Sequence, residues 1–321
     1  MNGLRIGCVR AILVAWACIP LAAVAQDFPN RAIRVVVPFA PGGNVDITAR
    51  TIAQPMADIL GQPVVVENRP GGGGMVATAQ VIKGGADGYT LILGSSSTIS
   101  VAPATTKNPP YDPTRDLAVV GPIQAVPIVL TASGKTAITS YREFVAQAQA
   151  RPGRLSVASA GTGTSNHLAL ELLMKQSGMK LLHVPYKGSG PALIDVVGGQ
   201  VETMMDQLTA SVQHIKEGRV RALAVTTKKR SALMPDVPTL AELGLADYDV
   251  STFTGLFAPA GTPRPVLEKL GAVLAQPAVR ERFAALGVEM IEIDAKTFEA
   301  YVKKDFENWR TVAREANLSL D

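Results

Sequence analysis

Six short segments hold most of the groups in this chain that could contact a small solute: APGGNVD (40–46), RPGGGGM (69–75), GSSSTIS (94–100), AGTGTSNH (160–167), YKGSGP (186–191) and DQLTAS (206–211). Each follows an apolar run and precedes a helix-like pattern, so each reads as a strand-to-helix turn. Ligands on open parallel sheets bind outside the carboxyl ends of strands, where helix N-termini point at them. The amides there are unpaired and carry partial positive charge, so such turns suit anions, carboxylates above all, without an arginine. Any one such turn favours glycine for its conformation and Ser, Thr, Asn or Asp as a helix cap. Six of them spread along the chain point instead to a polar cleft.

Other chemistries fail on spacing. Gly72-Gly-Gly-Met-Val-Ala77 satisfies a dinucleotide fingerprint formally, but it is displaced from the end of its strand, and Asp87 lies in a glycine-rich loop instead of ending a second strand. There is no phosphate-binding G-x-x-x-x-G-K-[ST] motif and no G-x-S-x-G elbow, since Thr98 stands where the elbow needs glycine. His167, His183 and His214 are dispersed, with no metal-ligand spacing. The reading is therefore no cofactor, no metal and no catalytic set. His183 reads as a hydrogen-bonded core residue. His167 is either a ligand neighbour or a helix-start residue, and Asp46 either caps its helix or meets a polar group of the solute.

The first residues have the anatomy of an export leader: Arg5 and Arg10, an apolar run from Ala11 to Ala23, and Ala23-Val24-Ala25 as a cleavage site. We read residues 1–25 as a signal peptide and the mature protein as exported. Both cysteines, Cys8 and Cys18, fall in that leader, which excludes disulfides and thiolate chemistry from the remainder. The formal charge of +4 (31 basic against 27 acidic residues) falls to +2 once Arg5 and Arg10 are removed, and aromatics are 5%. Nucleic acid is not an expected partner.

Apolar β-rich runs alternate with helical periodicity from Ile33 onward, which predicts an α/β protein. Strands are expected at 33–39, 63–68 and 89–94, with helices at Asp46–Leu60 and Gly74–Lys83. A second set has strands at 155–159, 181–186, 201–206 and 220–227, with helices at Asn166–Gln176, Pro191–Val197 and Ser211–Glu217. Two long extended stretches, 117–133 and 248–263, carry the chain across and back, and the tail is helical. This predicts two lobes: 26–123 with 254–321, and 124–253.

The segments IRVVVPFAPGGNVDITAR, LGQPVVVENRPGGGG, DGYTLILGSSST, YDPTRDL, HVPYKGSGPALIDVVGGQVE, VRALAVTTKKRSALMPDVPTLAELG and GLFAPAGTP, in that order, resemble the Bug family. These are substrate-binding proteins of tripartite tricarboxylate transporters. The resemblance runs from about Phe28 to Leu318. It implies a two-lobed periplasmic-binding-protein fold (Venus-flytrap, type II) with two crossover strands. It also implies a monomeric, non-enzymatic receptor that encloses a small organic acid and delivers it to membrane permease subunits. Delivery to a sensor kinase is the alternative, and a periplasmic α/β hydrolase or isomerase a weaker one.

Carried onto matching positions, the ligand residues are Phe39, Gly42, Gly43, Asn44, Val45 and Asp46 of the first turn, then Ser95, Ser96 and Thr98. From the second lobe come Gly161, Thr162, Thr164, Ser165, Asn166 and His167, then Lys187, Gly188 and Asp206. Several places depart from the family pattern. Ala40 replaces a proline, Asn44-Val45 replaces small and hydroxyl residues, and Ala160 and Asn166 stand where serine is frequent. The identity of the ligand is therefore not carried over.

Overall fold

The structure, a computed structural model, describes residues 28–286, 288 and 290–315. The proposed leader lies outside the described residues. The chain begins with β1 (Ile33–Val37), α1 (Asn44–Leu60), β2 (Val64–Asn68), α2 (Met75–Lys83) and β3 (Thr90–Ser95). Strands β1, β2 and β3 are parallel, as β-α-β connections require. The expected alternation of strand and helix is realised here. Helix α1 starts two residues before the sequence pattern indicated, with Gly43 as its N-cap, and ends on Gly61 in the left-handed conformation.

Strand β3 runs into a single π-helical turn, Ser97–Val101, followed by the short α3 (Ala102–Thr105) and α4 (Pro113–Asp116). The Ser95 amide donates to Thr98 Oγ at 3.1 Å, so a side-chain hydroxyl ends the strand where the next ladder bond would form.

The long strand β4 (Leu117–Ser133) crosses the molecule, and β9 (Ser251–Pro259) brings the chain back. From Leu117 to Pro127, β4 pairs antiparallel with β9, and from Ile128 to Ser133 it pairs with β7 (Thr203–Gln207) and β8 (Val220–Val225). Two register shifts, at Val119/Gly121 and Pro122/Gln124, bend the β4–β9 ribbon, and Pro122, which has no amide to donate, sits between them. Along β4 the hydrogen-bonding partner changes from β9 to β7 and β8 at Pro127/Ile128.

Between the crossings lie α5 (Tyr141–Ala150), β5 (Ser156–Ser159), α6 (Ser165–Ser177), β6 (Leu182–Pro185), α7 (Ser189–Gly198) and α8 (Leu208–Lys216). The strand order β2-β1-β3-β9-β4-β7-β5-β6 therefore joins two sheets through β4. The C-terminal α9 (Arg264–Leu274), α10 (Pro277–Ala285) and α11 (Ala295–Glu315) return to the first sheet. Apolar clusters cover both faces of each sheet. Val35, Leu91 and Leu256 pack under α1 and α9, while Val36, Phe257 and Phe298 fill the opposite face. In the second sheet Leu130, Val157 and Met205 face α5 and α6, and Met204 and Ala158 face α7.

Candidate functional site

The carboxyl ends of both sheets meet at a small cavity of about 10 Å³, room for about one water molecule. Phe39, Gly43, Asn44, Val45, Asp46 and Ser97 line it from the first half, and Ala160, Ser189 and Gln207 from the second. The halves are in direct contact around it. The Ala40 amide donates to the Lys187 carbonyl at 2.9 Å, and the Ser165 amide donates to Ser97 Oγ at 3.0 Å. The Ser97 and Ser165 hydroxyls lie 2.9 Å apart, and Thr209 Oγ donates to Asn44 Oδ1.

The first turn is built to hold amides still. Gly42 adopts φ 87°, which only glycine takes without strain, and its amide donates to Asp46 Oδ2 at 3.0 Å. The N3 carboxylate reaches back past the N-cap Gly43 to the residue before it and so braces the turn. The first backbone bond of α1 runs from the Ile47 amide to the Gly43 carbonyl, so the amides of Asn44, Val45 and Asp46 are the orphan donors of the helix. All three residues border the cavity.

Asp46 itself is fully occupied. Its carboxylate accepts from Arg50 Nε at 3.0 Å, from Asn68 Nδ2 at 2.9 Å and from the Gly42 amide. Burial alone would raise its pKa, but Arg50, Gly42 and Asn68 together hold the carboxyl below its ordinary range. None of these contacts is with the orphan amides of the helix. Asp46→Ala is expected to destabilise the protein by about 2–3 kcal/mol, because the Gly42 amide and Asn68 lose a charged acceptor. Arg50→Ala should cost under about 1 kcal/mol, since the arginine side chain is 55% exposed. Urea unfolding midpoints of the two variants compare these directly.

In the second half, Thr164 is the N-cap of α6. Its hydroxyl accepts from the His167 amide and donates to the Gly161 carbonyl at 2.7 Å. Asn166 is buried, donating to the Met205 carbonyl and accepting from Gln207 Nε2 at 2.7 Å, so it positions Gln207, which borders the cavity. The Gly163 amide donates to His167 Nδ1 at 3.3 Å, and His167 Nε2 faces Glu171 at 3.3 Å. The His167 ring stacks on His183, centroids 4.0 Å apart, and His183 Nε2 lies 2.6 Å from Ser159 Oγ. Burial pushes both imidazoles down to about 4, with His167 adding repulsion at His183.

The remaining expected residues fall in three places. Gly161, Thr162 and Lys187 line an open groove with Phe39 and the glycines 71–74, next to the cavity and sharing Phe39 and Ala160 with it. Ser96 Oγ accepts from the Phe253 amide at 2.9 Å, while Ser95 and Thr98 bond to each other, so these three brace the turn around Ser97. Gly188 packs on Ala40, where an added Cβ would come within 3.0 Å of the Ala40 nitrogen. Asp206 stands behind Gln207, fully buried, accepting from Ser211 Oγ at 2.7 Å and the Gln207 amide at 2.8 Å. Burial raises its carboxyl to about 6 against the pull of those donors.

Ser97, Ser189, Gln207 and Ala160 border the cavity and were not singled out from the sequence. Each lies inside a segment that was recognised. Which of three consecutive serines faces the cavity depends on the π-turn, and that turn leaves no periodicity to read. Among the described residues no group of three or more His, Cys, Asp or Glu could hold a metal ion, and no helix is long and apolar enough to cross a membrane.

The family described as "Tripartite tricarboxylate transporter family receptor" (TctC) matches residues 48–318. Among solved structures, the periplasmic binding protein BugD is 37% identical with a TM-score of 0.85, over 91% of this chain and 99% of that one. MatC (Rpa3494) from Rhodopseudomonas palustris, with bound malate, is 36% identical with a TM-score of 0.83, over 89% and 99%. R. palustris Rpa4515, with adipate, is 32% identical with a TM-score of 0.86, over 91% and 99%.

Proposed function

Because the chain belongs to the tripartite tricarboxylate transporter receptor family, whose solved relatives have the periplasmic binding protein fold, we propose that it captures a small dicarboxylate between two hinged lobes. It then presents the closed form to membrane permease subunits. In this reading the leader of residues 1–25 directs export to the periplasm, and the mature chain is a monomer without catalytic activity. Residues 26–123 with 254–321 form one lobe and 124–253 the other, with the hinge where β4 and β9 cross.

The observation that carries the reading is the pairing of three orphan amides at the α1 N-terminus with the unpartnered Asn44 Nδ2, around a cavity walled by both halves. The ligand residues are those of the first turn together with the second-lobe turn at 160–167, the segment at Lys187-Gly188 and the shell around Asp206. Glycine-held amides are already aimed before the solute arrives, so little ordering is required on binding. Contacts made only when both walls are present favour the closed form, which is what couples binding to hinge motion. Malate in MatC and adipate in Rpa4515 support dicarboxylates of that size range.

Calorimetry and thermal unfolding of the processed protein against succinate, malate, adipate, citrate and neutral sugars test this. An acid present at 100 times its Kd should add roughly 2.7 kcal/mol of stability. Absence of binding by every acid in the panel would overturn the reading. Turnover of the stabilising acid would favour an enzyme.

A further inference from the structure

We infer that the cavity selects acids whose carbon beside the bound carboxylate carries hydrogen or hydroxyl, and rejects those carrying an ammonium group there. This rests on the receptor reading above and names its substrate class more narrowly.

The inference follows from an inventory of the polar groups at the cavity. On the donor side are the amides of Asn44, Val45 and Asp46, and Asn44 Nδ2. Asn44 Oδ1 is occupied by Gln124 Nε2 and Thr209 Oγ. Its Nδ2 has no partner, and the residue is 2% exposed. A buried donor without an acceptor is costly, and an incoming carboxylate removes that cost.

The anionic acceptors are already spent, and the one unpartnered acceptor beside Asn44, the buried Gln124 Oε1, is neutral. Among the described residues Asp46 is the only carboxylate bordering the cavity, and both its oxygens are taken by Gly42, Arg50 and Asn68. Asp206 lies behind Gln207 and is tied to Ser211 and the Gln207 amide. Gln207 Oε1 accepts the Ser189 hydroxyl at 3.2 Å. A carboxylate thus meets several unspent donors, whereas an ammonium would enter a water-poor space with no unspent anion. Burying a charge without a partner is unfavourable by a wide margin. A hydroxyl can donate or accept and can share the Ser97 hydroxyl, so malate and succinate are both admitted.

Succinate, L-malate and L-aspartate share one carbon skeleton and differ at one substituent, so calorimetry of the processed protein with these three isolates the effect. Aspartate is expected to bind at least about tenfold more weakly than succinate and malate. Asn44→Asp keeps an oxygen for Gln124 and Thr209 but replaces the free donor with a carboxylate oxygen. The ratio of aspartate to succinate affinity should then move toward aspartate by about tenfold or more. Wild-type aspartate binding within tenfold of succinate, or a ratio unmoved in Asn44→Asp, overturns the inference while leaving the receptor reading intact. If no acid binds, the receptor reading fails and this inference fails with it.

Discussion

Gly190→Ala is expected to weaken ligand capture by about 100-fold, or about 2.7 kcal/mol, while the unliganded protein unfolds at the same temperature or slightly higher. Gly190 lies in the first turn of α7 with a helical backbone, and alanine is the better helix former by about 1 kcal/mol. Within its own lobe the substitution is therefore harmless. Across the cleft it is not: a Cβ there would stand 2.0 Å from the Pro41 carbonyl oxygen and 3.2 Å from Gly42 Cα. Both obstacles are main chain, held by the same Asp46 lock that aims the amides, so neither can rotate away. The lobes would have to stay apart, and the carboxylate would lose one wall of its site. Isothermal titration with succinate or malate measures the loss, and thermal unfolding without ligand supplies the control. Ile194→Ala, on the same helix at a residue 72% exposed, should change neither. A Gly190→Ala protein that binds within threefold of the parent would show that this contact is not part of the closed state.

The second large effect is a loss of stability in mild acid, seated in the stacked imidazoles. Each has a folded pKa of about 4 against an ordinary 6.5. A base whose pKa is depressed on folding contributes stability that is complete above pH 6.5 and is lost as pH falls through 4. Asp206 works in the other direction. Its carboxyl is raised to about 6 from 3.8, so its contribution becomes more favourable as pH falls from 6 toward 4. Two rings against one carboxyl leave a net loss of about 2–3 kcal/mol between pH 7.5 and pH 4.5, read from urea midpoints. His167→Asn with His183→Gln keeps hydrogen-bonding atoms near those of the rings while removing the charge. That pair of changes should erase most of the loss, and a double variant as acid-sensitive as the parent would refute the assignment. The same event reaches the site, because His167 accepts the Gly163 amide and Ser159, bonded to His183, accepts the Gly161 amide. Protonation is therefore expected to weaken the second-lobe turn as well.

The alternation of apolar runs and helical patterns places seven strands and the two long extended crossings, because each is a local signal. Five elements escaped, the four-residue α3 and α4 among them. Helix α5 begins at a capping box, Ser140 with Glu143, which is visible in the sequence, but it is short and buries only Tyr141, Phe144 and Ala148. Helix α10 opens on Pro277 and is short, with only Val279 and Phe283 of its residues buried. The π-turn at Ser97 has no periodic signature at all. At the site, the turns were legible and the facing residues were not. Asp46 is held by Asn68, 22 positions away, and the histidine stack joins residues on different elements. Ser189 and Gln207 reach the cavity only because the second half is folded against the first. Such placements depend on how two sheets meet, which no window of neighbouring residues encodes.

Strand β4 serves both sheets without a break, and β9 lies between it and β3. As the chain emerges from its N-terminus, residues 33–95 are made early, yet the strand that covers the edge of β3 is synthesised only after the whole middle segment. The later half can thus complete its own sheet first, while the earlier half waits with a bare edge. A nascent polypeptide halted before Ser251 would expose that edge to its neighbours, so the vulnerable interval in the life of this protein is its birth.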